Sequence, residues 1–192
     1  TLQHDAVRAP RTGLLNRRGL DAILAARLGR EDELAYVVAD LDLFKSVNDL
    51  HSHPVGDEVL RRVAQIMTAA VRVGDVVARV GGEEFTLVLL DSPLDQAQAV
   101  CERIRATIAT YPWHELSHGL RVTMSFGGAM ASAAEAAHTL AARADVALYR
   151  SKRLGRNQVQ FDGVVPDGTG APGTTSGARV GQGTASTACA PA

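Results

Sequence analysis

Four carboxylates in this chain could work together. Asp40 closes a short apolar run, residues 34–41 (LAYVVADL), and Asp42 lies two positions further on. Glu83 and Glu84 follow a Gly81-Gly82 pair that separates two β-rich runs. Side chains alternate along a strand, so Asp40 and Asp42 share a face for as long as the chain stays extended. If the turn carrying Glu83 and Glu84 lies beside the strand that ends in Asp40, the carboxylates converge at one end of a sheet. Converging carboxylates repel unless a cation neutralises them. Mg²⁺ takes hard oxygen ligands and keeps positions open for phosphate oxygens. Phosphoryl or nucleotidyl transfer needs such an arrangement. Taken singly, acidic residues at strand ends and turn tips are ordinarily just solvated, so the weight rests on their joint placement.

The elements that must position these residues follow from periodicity. Asn16 is a helix cap before an amphipathic run ending near Leu28. Residues 34–41 read as a strand buried on both faces. After a break around residues 48–56, Val59, Val63, Ile66 or Met67, and Ala70 recur at helical spacing. Residues 75–80 and 85–90 are two strands joined at Gly81-Gly82, where glycine would accept the positive φ of a tight hairpin. Leu94, Ala97, Cys101, Ile104 and Ile108 mark a helix. Leu120, Val122, Met124 and Phe126 alternate with polar residues as in a strand with one buried face. A last helix spans about residues 135–152 and an edge strand residues 158–161. The order α-β-α-α-β-β-α-β-α-β implies an α/β (α+β) sandwich, a mostly antiparallel central sheet flanked by helices.

The chain has 192 residues and a formal net charge of -1, so no global basic field argues for nucleic acid as partner. Residues 162–192 contain no Leu, Ile, Met or aromatic residue and read as a disordered Gly/Ala/Thr/Pro-rich tail. Residues 10–161 then form one domain, and residues 1–9 a connector from an upstream region. The absence of an initial Met suggests a piece of a longer protein. No apolar run is long enough to span a membrane, which argues against membrane contact by this segment. Cys101 and Cys189 make no disulfide framework, and a reducing, cytoplasmic setting is the simpler expectation. His51 and His53 have no third nitrogen or sulfur ligand patterned nearby, which argues against a transition-metal site.

Residues 78–85 (ARVGGEEF) resemble the signature of the GGDEF family, the diguanylate cyclases, in its GGEEF form. Further segments match in order. Residues 40–49 (DLDLFKSVND) resemble the family's D-x-D-x-F-K-x-x-N-D, and His53 to Asp57 its H-x-x-G-D. Residues 143–157 (RADVALYRSKRLGRN) resemble the helix and basic end of its fold.

The resemblance implies a fold like the palm of nucleotidyl cyclases and polymerases. It also implies condensation of two GTP into cyclic di-GMP with release of two pyrophosphates, one GTP per domain across a dimer. On this resemblance Asp40 and Glu83, with the Leu41 carbonyl, would hold Mg²⁺ (or Mn²⁺), and Glu84 would help take the proton from the attacking 3′-hydroxyl. Asn48 and Asp57 would read guanine: an amide offers donor and acceptor, and a carboxylate accepts from N1–H and N2–H together. His53 and Gly82 would lie by the nucleotide. Phe44 and Lys45 would offer backbone amides to the β- and γ-phosphates at a helix start. Lys152 and Arg156 would clamp the same phosphates, where composition alone reads a basic helix end. Arg72 and Asp75, with five residues between them and Gly81, match an R-x-x-D that in the family forms an inhibitory product site. By chance such a pair is a surface ion pair.

The sequence departs from the pattern in two places. The family often opens D-x-L-T-G-L-x-N-R-R, and here Ala9 and Arg11 replace the first Asp and the Leu. Ser52 stands where a Gly usually precedes His53, at a strain cost of about 1 kcal/mol if that position needs positive φ. A sensory domain upstream would supply the signal. The alternative is a silent module that binds GTP or cyclic di-GMP and acts through a partner; the retained Asp40, Gly81, Gly82, Glu83 and Glu84 argue against it.

Overall fold

The computed structural model describes residues 7–28 and 33–164. Most of the predicted tail, and residues 1–6 of the connector, lie outside them.

Asn16 caps the first helix, α1 (Arg17–Arg27), its side chain accepting from Gly19 N at 3.1 Å. The central strand β1 (Ala35–Leu41) carries the apolar run. Two helices follow with only Ser52 between them, α2 (Phe44–His51) and α3 (His53–Ala70). The break expected over residues 48–56 is therefore a single residue. Strands β2 (Val76–Arg79) and β3 (Glu84–Leu89) form the hairpin, followed by α4 (Leu94–Thr110) and a short 3₁₀ turn, Trp113–Glu115. The last elements are β4 (Met124–Met130), α5 (Ala137–Arg153) and β5 (Val159–Phe161). The strand read around residues 120–126 begins at Met124 instead. Leu120 and Val122 are buried, but in a segment outside the sheet. Gly127 and Gly128 continue β4 where no side-chain alternation could mark it.

The sheet order is β2-β3-β1-β4-β5, all pairs antiparallel except β4 with β5. Period-two alternation sends β1 into two cores. Val37, Ala39 and Leu41 pack with α2, α3 and α4, whereas Tyr36 packs with Leu20 and Leu24 of α1 and Leu140 and Ala144 of α5. The result is three layers with β1 at the centre. A Cβ on Gly127 would collide with the backbone of Ala144 and Leu148, so glycine there lets α5 lie close on β4. That close packing sets where the basic end of α5 falls. Asp162 and Val164 belong to the packed fold, Asp162 pairing with Arg143 at 3.0 Å, so order continues past residue 161.

Candidate active site

The ladder sets the site. Asp40 stands directly opposite Glu84 in the β1–β3 pairing, and the Leu41 amide donates to the Glu83 carbonyl at 3.2 Å. The end of β1 and the turn after β2 are thus joined by backbone. Asp40 lies on the face covered by α5, and Lys152 in the last turn of that helix reaches its carboxylate at 2.8 Å. Burial pushes the Asp40 carboxyl above the ordinary carboxylate range. Lys152 opposes the rise, and the charges of Glu84 and Asp42 add to it. Glu83 is raised as well, first by burial and then by the charge of Asp40. Lys152 is therefore the cation that makes this cluster of negative charge tolerable. The residues expected to take a cation, Asp40, Glu83 and the Leu41 carbonyl, would supply oxygen donors alone. Among the described residues no group of three or more His, Cys, Asp or Glu is arranged to hold a metal. That donor set fits Mg²⁺, which keeps positions for water and phosphate.

The turn owes its shape to contacts and not to left-handed backbone. Neither Gly81 nor Gly82 has positive φ, contrary to the reading from sequence. A Cβ on Gly81 would come within 2.5 Å of Glu84 Oε2, so this glycine makes room for the carboxylate. Gly82 faces open space, and its carbonyl accepts from Arg79 Nη2 at 2.7 Å. Arg79, almost fully buried, also donates to the Pro10 carbonyl at 3.2 Å. It ties the signature turn to the N-terminal segment, a role the sequence offered no spacing to reveal.

Asp42 does not share Asp40's environment. The strand ends at Leu41, and Asp42 turns to accept from Thr123 and Ser125 hydroxyls, both at 2.7 Å, and from the Asn157 amide at 3.0 Å. It fastens the loop after α5, which carries Arg156, to the end of β1. Arg156 and Asn157 both have positive φ there. Leu43 adopts the left-handed region (φ 55°) to start α2, with no side-chain cap. The amides of Phe44 and Lys45 therefore lead a helix whose first donors lack a side-chain partner. A cleft of about 570 Å³ opens between this helix start and the loop, lined by Leu43, Ser46, Arg156 and Asn157 among others. The Lys45 side chain reaches Asp49 at 2.7 Å along α2.

Asn48 on α2 and Gly56 on α3 touch: a Cβ on Gly56 would strike the Asn48 amide oxygen. Asn48 thus lies against the residue that precedes Asp57, and the Asp57 carboxylate is held by Arg11 at 3.1 Å. His53 is exposed at the start of α3, and His51 Nδ1 meets Ser117 Oγ at 2.8 Å. Ser52 adopts φ 86°, the strained geometry that the departure from glycine implied. Arg72 and Asp75 sit at the opposite end of the hairpin from Glu83. The Asp75 carboxylate accepts from the amides of Arg72 and Leu90, while the Arg72 guanidinium donates to the carbonyls of Leu90 and Asp91. Cys101 lies in the core, its thiol pushed up to about 12 by burial, and takes no part in this chemistry.

A sheet of this order, with acidic residues on its central strand and on the adjoining hairpin, defines a palm-like nucleotidyl cyclase domain. A family model described as "Diguanylate cyclase, GGDEF domain" matches residues 6–158, and the chain belongs to that family. It is 38% identical over 159 residues to the diguanylate cyclase DgcP of Pseudomonas aeruginosa, covering 81% of this chain and 24% of that protein. With DgcM of Escherichia coli it is 40% identical over 162 residues, covering 82% of this chain and 39% of the relative. The chain thus spans about a quarter to two-fifths of the length of these curated relatives. The GGDEF domain of DgcB from Caulobacter crescentus, solved in complex with c-di-GMP, superposes with a TM-score of 0.74. It is 32% identical, with 82% of this chain and 96% of that one covered. No helix among the described residues is long and apolar enough to cross a membrane.

Proposed function

We propose that this domain condenses two GTP molecules into cyclic di-GMP, releasing two pyrophosphates, with one GTP bound per domain and two domains facing each other. The observation that carries this reading is the joining of Asp40, Leu41 and Glu83 at one sheet end, with Lys152 against them. Asp40, Glu83 and the Leu41 carbonyl would hold Mg²⁺, or Mn²⁺ in its place. When bound, the metal neutralises the triphosphate and sharpens the electrophilicity of its α-phosphorus.

The remaining work falls to the protein. Lys152, paired with Asp40 in the unliganded domain, would turn to the phosphates together with Arg156. The leading amides of α2, at Phe44 and Lys45, would receive the β- and γ-phosphates. The open space at Gly82 admits substrate beside the turn. Glu84, opposite Asp40 and exposed, would accept the proton of the attacking 3′-hydroxyl. Asn48 and Asp57, on the two helices that meet at Ser52, would read guanine, with His53 at its edge. Arg72 and Asp75 would form a separate product site whose occupancy slows turnover, since arginine forks and stacks on guanine and phosphate.

Incubation with GTP and Mg²⁺ should yield pyrophosphate and cyclic di-GMP, and Glu83→Ala should lower the rate by at least about 100-fold, as for loss of a charge-stabilising group. Progress curves of Arg72→Ala should lose the late slowing by product. Wild-type protein that binds GTP but turns none over would instead indicate the silent module, and turnover surviving Glu83→Ala would refute the metal role.

A further inference from the structure

We infer that Arg11 is a specificity-determining residue, forming with Asp57 a two-sided reader of the guanine edge. The inference rests on the proposed role of Asp57 in substrate binding.

Arg11 sits at the tip of a closed hook. The Ala9 amide donates to the Leu14 carbonyl at 2.7 Å, and the Gly13 amide returns to Ala9 at 3.1 Å. Arg79 fastens the preceding Pro10 carbonyl to the turn that bears Gly82. Arg11 itself is held at φ 71°, a region a non-glycine residue adopts only when its surroundings impose it. The hook therefore aims this side chain, and it aims it at Asp57, Nε to Oδ2 at 3.1 Å. The Arg11 side chain is 58% exposed and that of Asp57 33%, so as a stabilising ion pair the contact contributes little. Its geometry calls for another explanation.

Chemical complementarity supplies one. The Watson–Crick edge of guanine presents two donors, N2–H and N1–H, and then the acceptor O6. A carboxylate beside a guanidinium presents the matching series, acceptors followed by a donor. Arg11 meets Asp57 through Nε as an ion pair only, and no hydrogen bond of its guanidinium is found among the described residues. Its remaining donors suit O6 and N7, the pair of acceptors that arginine engages bidentately on guanine. Adenine would fail on both counts. Its N1 lacks a hydrogen for Asp57, and its N6 amino group would point donors at the cation. Arg11 also opens onto a cleft of about 500 Å³ shared with Arg79 and Gly81, so its side chain stands next to the signature turn.

The test is equilibrium binding of GTP, 6-thio-GTP and ATP, measured by calorimetry on wild type, Arg11→Leu and Arg11→Lys, with circular dichroism to verify folding. Arg11→Leu should weaken GTP about 10-fold while ATP is not weakened, so the preference for GTP falls by about that factor. Wild type should favour GTP over 6-thio-GTP, whose sulfur accepts poorly, and Arg11→Leu should lose this preference. Arg11→Lys, which keeps the charge but not the fork, should fall between. Unchanged affinities in folded Arg11→Leu would overturn the inference. Tighter GTP binding would also overturn it, because Arg11 would then compete with guanine for Asp57. Wild-type protein that binds no GTP would be a different failure, that of the proposed function itself.

Discussion

Asp40 and Glu83 are held against their own charge. Both carboxyls sit above their ordinary values because burial disfavours the ionised form and each lies near other carboxylates. A raised carboxyl binds its proton more tightly folded than unfolded. Its contribution to stability is full below the unfolded value and is lost as pH rises through the folded one. The unliganded domain therefore gives up some stability at neutral pH to keep these groups charged. Activity has the opposite sign, since only the ionised forms can hold a cation. The acid limb of kcat/KM, which reports the free enzyme, should be centred above the ordinary carboxylate range. A limb at or below that range would contradict the environment described for the pair. Asp40 was legible in the sequence as an acidic end to an apolar run. Its opposition to Lys152 was not, because that contact depends on how α5 lies on β4. Likewise, Arg79 and Arg11 are anchored through contacts with residues distant in sequence, which no local spacing encodes.

At the scale of elements, the corner between α2 and α3 is the most strained join in the site. Ser52 at φ 86°, ψ 156° occupies a region that is nearly reserved for glycine. Pro54 in the first turn of α3 suits the helix start. Ser52→Gly should stabilise the domain by about 1 kcal/mol, the relieved strain less the added entropy of an unfolded glycine. Denaturant unfolding would show it as a higher midpoint with an unchanged slope, and a lower midpoint would contradict the strain. Elements with uninterrupted side-chain patterns could be read directly: α1 from its cap and stripe, β1 from its apolar run, α4 from Ala97, Cys101, Ile104 and Ile108. The start of β4 could not. Leu120 and Val122 alternate like a strand yet are buried without pairing, and Gly127 and Gly128 pair without side chains to signal it. The Gly81-Gly82 turn was located correctly for the wrong reason, since space for Glu84, and not positive φ, demands Gly81.

For the whole molecule, one domain offers one set of donors around Asp40 and Glu83, whereas the proposed product contains two nucleotides. Each 3′-hydroxyl must then meet an α-phosphate held by another copy. Initial rates of the isolated domain should rise faster than in proportion to its concentration until dimers predominate. A proportional rate throughout a dilution series that spans dissociation would argue for turnover within one copy. Both modes of turnover depend on the end of β1 and the turn before β3, which on the proposed function would grip a divalent cation only in company with a triphosphate. Calorimetric binding of a non-reactive GTP analogue, with and without Mg²⁺, tests it most directly. Mg²⁺ should tighten binding at least about 10-fold in wild type, a difference of about 1.4 kcal/mol, and should fail to do so in Asp40→Asn. An equal enhancement by Mg²⁺ in both proteins would contradict the account.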